Sequence, residues 1–289
     1  MEYRCGDLPQ YGVVLAPPSS PEFAALLADI QKRLASPLPG SPPPLADFED
    51  PAAPTMIVCN RSQMAIAAMS WIWKFEPEIG RPAGSSVSPA GGTSLLEPFG
   101  LDERMRKLYG YWHVILPGSK RGIRGNSMFG DNTDVRPPQP DELWRGGIGG
   151  GGSRTRRALG PLKSVTLILD GLFFVDGGFA GPDTLRTYDR VTADADAHIE
   201  VARLAREGHE QGLSPAEILA RIEAVTGPDR GPAPLPPTSA GQAGDFLAYS
   251  LRSIASQIGT MRQRGGDDAR VIRLLMSWAD TPLPNFRKM

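Results

Sequence analysis

Cysteine is scarce in this chain: Cys5 and Cys59 are the only two in 289 residues. They stand far apart in unlike contexts, so no disulfide framework is expected. Cys59, at the end of Met56-Ile57-Val58-Cys59, reads as a small buried hydrophobe. Long apolar runs are also missing. Nothing approaches the ~20 residues that cross a bilayer, and Glu2, Arg4 and Asp7 leave the start of the chain without an apolar leader. The expectation is a soluble, cytoplasmic protein without a membrane partner. Excess charge of either sign is absent, with 31 Lys and Arg against 32 Asp and Glu. No overall field draws the chain to nucleic acid, and none is expected as a partner. The three histidines, His113, His198 and His209, lack zinc spacing. No phosphate loop, calcium loop or Gly-x-Ser-x-Gly elbow occurs. No cofactor and no metal are therefore expected. The glycosylation triplet Asn60-Arg61-Ser62 is a chance match in such a compartment.

What the chain has in quantity is 33 glycines and 29 prolines, which punctuate short aliphatic and aromatic segments. A first helix is expected over 20–35, where Phe23, Leu26, Leu27, Ile30 and Leu34 follow a serine and a proline. A proline-rich arm follows over 37–54. From Thr55 the period becomes two. Met56–Cys59 and Ala65–Phe75 read as a hairpin turning at Asn60–Gln63, with Ala67, Met69, Trp71, Trp73 and Phe75 on the inner face. Residues 109–116 read as another strand, and 118–162 as one long excursion of glycine and proline. Ser164–Phe174 is apolar on both faces, as a central strand would be. Asp170 interrupts it: a carboxylate there is paired or has a raised pKa, unless Asp170-Gly171 is a turn that splits the strand. Asp176-Gly177-Gly178 is a turn signal.

Beyond residue 183 the period is helical. One helix carries Tyr188, Val191, Ala195, Ile199 and Ala202. A second opens on Ser214-Pro215-Ala216-Glu217, a capping serine with a proline at the first helical position and a glutamate three residues after the cap. After a proline-rich linker over 228–243, two more helices carry Leu247, Leu251, Ile254, Ile258 and Met261, then Val271, Leu274, Leu275 and Trp278. The expected organisation is an N-terminal helix and arm over 1–54, a β sandwich over 55–182, a helical pair over 183–227, a linker, and a C-terminal helix pair over 244–289.

Three constellations bear on chemistry. Backbone amides of the glycine run 146–152 with Arg154, Arg156 and Arg157, and the cluster Lys120, Arg121 and Arg124, are candidates for anion binding, because amides and guanidinium groups both favour phosphate. Trp71, Trp73, Tyr109 and Tyr111 are candidates for an aromatic platform that stacks sugars. Ser119, His113 and Asp131 or Asp134 make a nucleophile, base and acid arithmetically available to a hydrolase sited in 118–157. No residue is singled out as catalytic.

The segments Cys-Asn-Arg-Ser, Ala-Ile-Ala-Ala, Leu-Pro-Gly-Ser-Lys-Arg and Leu-Asp-Gly-Leu-Phe-Phe-Val-Asp-Gly-Gly-Phe-Ala-Gly-Pro-Asp resemble those of bacterial proteins with an immunoglobulin-like β sandwich and no assigned activity. The resemblance covers roughly residues 55–183. It implies an antiparallel immunoglobulin-like sandwich, making the whole an α+β chain with helices at both ends, and it carries over no catalytic residue. The functional expectation is a non-enzymatic binding or scaffolding protein with a protein partner. A hydrolase and a carbohydrate-binding module are the alternatives.

Overall fold

A computed structural model describes residues 1–34, 55–78, 84–88, 114–124, 127–130, 162–227, 246–263, 267–280 and 283–289. The chain divides into two compact units, one of residues Met1–Asp183 with Arg287–Met289, the other of Thr184–Phe286. The first unit is built on two sheets. One joins β5 (Gly84–Ser88), β4 (Ile66–Pro77), β8 (Leu162–Phe174), β9 (Gly178–Ala180) and β10 (Arg287–Lys288) in that order, with β1 (Glu2–Gly6) also on β8. The other runs β2 (Val13–Ala16), β3 (Thr55–Asn60), β6 (Lys120–Arg124) and β7 (Ser127–Gly130).

The sandwich is not the antiparallel immunoglobulin-like one that the sequence suggested. β1 runs parallel to β8, and β10 runs parallel to β9, so the larger sheet is mixed. The general α+β class holds. Parallel neighbours cannot be joined by a tight turn, and here more than a hundred and fifty residues separate β1 from β8. Glu2–Gly6 is largely exposed, so it carries no apolar alternation to announce a strand. The expected hairpin is corrected as well. β3 pairs with β2 and β6, while β4 pairs with β5 and β8, so the turn at residues 61–65 carries the chain from one sheet to the other.

Alternation along the strands decides what each face covers. Val13, Leu15, Met56, Val58 and Ile123 from one sheet meet Met69, Trp71, Trp73, Phe75, Val165, Leu167 and Leu169 from the other in one core. On the opposite face of the smaller sheet, Ala16, Ile57 and Cys59 pack on Leu26 of helix α1 (Pro21–Leu34). The Ser20 hydroxyl accepts the Phe23 amide at the start of that helix, the arrangement a capping serine provides. Burial raises the Cys59 thiol, with Lys120 pulling weakly the other way, which suits a packing role and not a nucleophile.

β8 is continuous through Asp170, so the turn reading of Asp170-Gly171 is overturned. Trp71 faces Leu169 and Ser70 faces Gly171, which leaves Asp170 as the extra residue of a β-bulge, fully buried. Gly171 lacks a side chain because the Phe179 ring lies where its Cβ would be, at 2.7 Å. The chain turns at Gly177 instead, where φ is 85°, and β9 returns antiparallel to β8. The excursion at 118–162 also holds regular structure, since β6 and β7 form a hairpin within it. Gly122 and the shortness of both strands concealed their period.

The second unit consists of α2 (Thr187–Glu210), α3 (Pro215–Thr226), α4 (Phe246–Gln263) and α5 (Asp268–Trp278). The Ser214 capping box forms in full, with the Ser214 side chain on the Glu217 amide and the Glu217 carboxylate on the Ser214 amide. Asp267 caps α5 through the Arg270 amide at 2.6 Å. Val201, Leu204, Ile218, Ile222, Ile254, Val271 and Leu275 form the core between the helices.

Candidate functional site

Two of the residues singled out for anion binding, Lys120 and Arg121, do not share a face. Lys120 and Arg121 are neighbours on β6, so their side chains leave opposite sides of the sheet. Arg121 lies on the same side of β6 as the core residue Ile123, two positions on, is 5% exposed, and donates from Nη2 to the Val114 carbonyl at 3.4 Å. Arg124 ends β6, paired across the ladder with Thr55 and Ser127. Arg154, Arg156 and Arg157 lie outside the described residues.

Trp71 and Trp73 are 2% and 0% exposed and sit in the core between the sheets. Neither offers a ring face to solvent, as a sugar-stacking surface requires. Tyr109 and Tyr111 lie outside the described residues. So do His113, Asp131 and Asp134. Ser119 is described: it closes a turn on Gly118, its amide on the Leu116 carbonyl and its carbonyl on the Asn60 amide, both at 3.0 Å.

Asn60 governs that corner. Buried to 1% exposure, its side-chain amide donates to the Met64 and Ile115 carbonyls, each at 2.8 Å, while its carbonyl oxygen accepts the Ser62 amide and hydroxyl. All four hydrogen-bonding positions of the side chain are thereby filled. The Asn-Arg-Ser triplet is a structural knot where the chain changes sheets.

The helical unit carries two features of a different kind. A groove between α3 and α4, with a cavity of about 70 Å³, is lined by Leu219, Ile222, Ala255 and Ile258 and by the exposed Glu223 and Arg262. Large exposed apolar side chains also gather on this unit. Apart from the methionines Met1 and Met289, those among the described residues are Ile199, Val225, Leu247 and Leu274, one on each helix.

Inside the same unit a polar seam follows one face of α2 at intervals of four. Arg190 stacks its guanidinium on the Tyr249 ring of α4, with 6.0 Å between them. Asp194 accepts from Ser250 of α4. His198 places Nδ1 2.8 Å from the Asp194 carbonyl oxygen and its ring 4.5 Å from the Trp278 ring. Burial pushes the Asp194 carboxyl up, against the pull of His198, Ser250 and Arg190. Burial likewise lowers Arg190, against Tyr249 and Asp194. Burial of Asp194 and Arg190 between the helices thus works against the charged form of each.

In the sheet unit, sequence reasoning missed a cluster at the outer edge of β9. Arg287 donates from Nη1 to the Asp176 carbonyl at 3.0 Å and pairs through Nη2 with the Asp176 carboxylate. Lys288 Nζ meets the Asp183 carboxylate at 2.9 Å, and the Asp183 side chain is only 8% exposed. The Arg287 amide donates to the Gly177 carbonyl at 3.1 Å and the Met289 amide to the Phe179 carbonyl at 2.9 Å. Burial works to raise the Asp176 carboxyl, but the Gly178 amide and Arg287 outweigh it and hold it low. No local signal marks these partners, which lie more than a hundred residues apart.

Among the described residues no helix is long and apolar enough to cross a membrane, and no group of three or more His, Cys, Asp or Glu is placed to hold a metal ion. No family model, curated protein or solved structure matches the chain.

Proposed function

We propose that the chain is a non-enzymatic binding or scaffolding protein whose helical unit docks on a protein partner through the α3–α4 groove. The observation that carries this reading is the groove's size together with its lining. Small-molecule sites enclose about 300–1,000 Å³, and a dry cavity that takes benzene measures about 150 Å³. A volume of about 70 Å³ suits one aliphatic side chain, the kind of anchor that a partner surface inserts. Leu219, Ile222, Ala255 and Ile258 supply its apolar floor, and Glu223 and Arg262 supply charge of both signs beside it. Such an arrangement favours a leucine-like anchor flanked by polar contacts.

The test places a photo-crosslinking side chain at Glu223 or Arg262 of the whole chain, in its native cell extract. A protein adduct that disappears when Ala255→Leu fills the groove supports the reading, with circular dichroism confirming that the helices persist. No adduct, or one indifferent to Ala255→Leu, refutes it.

A further inference from the structure

The edge of β9 is occupied in a way that defines what it recognises. Three residues lie on it, Arg287, Lys288 and Met289, and each is read differently. Consecutive residues of a strand point to opposite faces, so the Asp176 carboxylate takes the first basic side chain and the Asp183 carboxylate takes the second. The third side chain covers Gly178, whose Cβ, if present, would lie 2.8 Å from the Met289 sulfur. Main-chain bonds to Gly177 and Phe179 hold the segment in parallel register. We propose that this edge is a strand-accepting site for an extended peptide with two successive basic residues, and that Arg287–Met289 fill it as a displaceable ligand in cis.

Displaceability follows from what holds the segment down. All three residues are exposed. Met289 is half-exposed, and adhesion rests on a short ladder and two ion pairs, of which the more exposed, Arg287 with Asp176, is screened by salt. Strand addition of this kind draws affinity from the main chain and specificity from alternate side chains. The site lies in the sheet unit and is independent of the helical groove.

Two measurements on the whole chain test the proposal. The first follows hydrogen exchange at the Arg287 and Met289 amides of the unaltered protein. They are expected to exchange at least 100-fold faster than the β8 amides, and faster again at high salt. Exchange as slow as in β8, or indifferent to salt, overturns the proposal. The second uses a labelled peptide, Leu-Pro-Asn-Phe-Arg-Lys-Met, corresponding to residues 283–289. It is expected to bind the R287E/K288E variant, whose own segment is repelled by the two aspartates, at least tenfold more tightly than the unaltered chain. Adding D176N and D183N is expected to abolish that binding. Failure to bind the R287E/K288E protein, or binding unaffected by the two asparagines, overturns the proposal. Where that variant does not fold, the exchange measurement alone decides.

Discussion

Gly181 makes the tightest approach among the described glycines, and replacing it by alanine tests the architecture there. Its φ is 130°, and a Cβ built on it would lie 2.5 Å from the Asp170 carbonyl oxygen. That oxygen sits on the bulge of β8 and accepts the Asp183 amide at 2.9 Å. Three costs follow from Gly181→Ala. Forcing a side chain into that backbone region costs about 1–3 kcal/mol. Pushing the carbonyl aside adds overpacking of about 1–3 kcal/mol. Weakening the Asp183–Asp170 bond removes about 0.5–1.5 kcal/mol more. The expected loss is therefore about 2.5–7.5 kcal/mol, from terms of those sizes. Gly118→Ala is the internal control in the same unit. It has φ 74° with nothing within 4 Å of its Cβ position, so only a left-handed backbone cost of about 1–2 kcal/mol applies. Urea unfolding followed by exchange at the β8 amides reports the stability of this unit separately from the helical one. A Gly181→Ala loss within about 1 kcal/mol of the control, less than a single steric contribution of that kind, would refute the close approach of Gly181 to the bulge.

The Asn60 knot and the helical seam give two further expectations. Asn60→Asp is isosteric but cannot donate when ionised, so the Met64 and Ile115 carbonyls lose their donor and face a buried charge. A loss of about 3–5 kcal/mol is expected, read as a lowered urea midpoint, and a loss below about 1 kcal/mol would contradict the four-bond geometry. For Asp194 the sign runs opposite to that of most paired carboxylates. Its folded-state pKa is raised, so its favourable contribution is full below the ordinary carboxylate range and is lost as pH rises through the raised value. The stability of Asp194→Asn relative to the unaltered chain, measured by helical circular dichroism in urea, should accordingly fall as pH is lowered. A difference that grows on acidification would show that Asp194 is stabilised as the anion.

The two units were legible to different degrees, and the reason is the range of the contacts that build them. Ser214-Pro215-Ala216-Glu217 specifies a helix start within four residues, and the structure forms it in full. The inner face of β4 was legible for a similar reason, because Trp71, Trp73 and Phe75 declare a buried face by their own period. The register of the sheets was not. β4 and β3 are adjacent in sequence and read as a hairpin, yet the buried Asn60 redirects the chain so that each strand finds partners elsewhere. β1 and β10 are exposed and bear charged side chains, so neither shows an apolar pattern. Of the site residues weighed, Lys120 and Arg121 were read as one basic cluster from adjacency alone, whereas the strand period separates them. The aspartates of the β9 edge belonged to a turn and a loop in the sequence, and only the return of Arg287 and Lys288 gives them a role.

That return also explains how a helical unit is accommodated within a β-sheet chain. The polypeptide leaves the sheet unit after Asp183 and re-enters it at Arg287. An ion pair of Lys288 with Asp183 links exit and re-entry. Asp183 is itself held at φ 58°, a left-handed conformation that a non-glycine residue adopts at some cost. Its amide is anchored on the Asp170 bulge, and the bulge is reached only because Gly181 carries no side chain. The glycines of the segment 171–181 are thus placed for close backbone approach as much as for turning. Gly171 admits the Phe179 ring, Gly178 admits Met289, and Gly181 admits the Asp170 carbonyl. A stretch whose glycines mark a turn in the sequence is here a packed strip of the sheet unit.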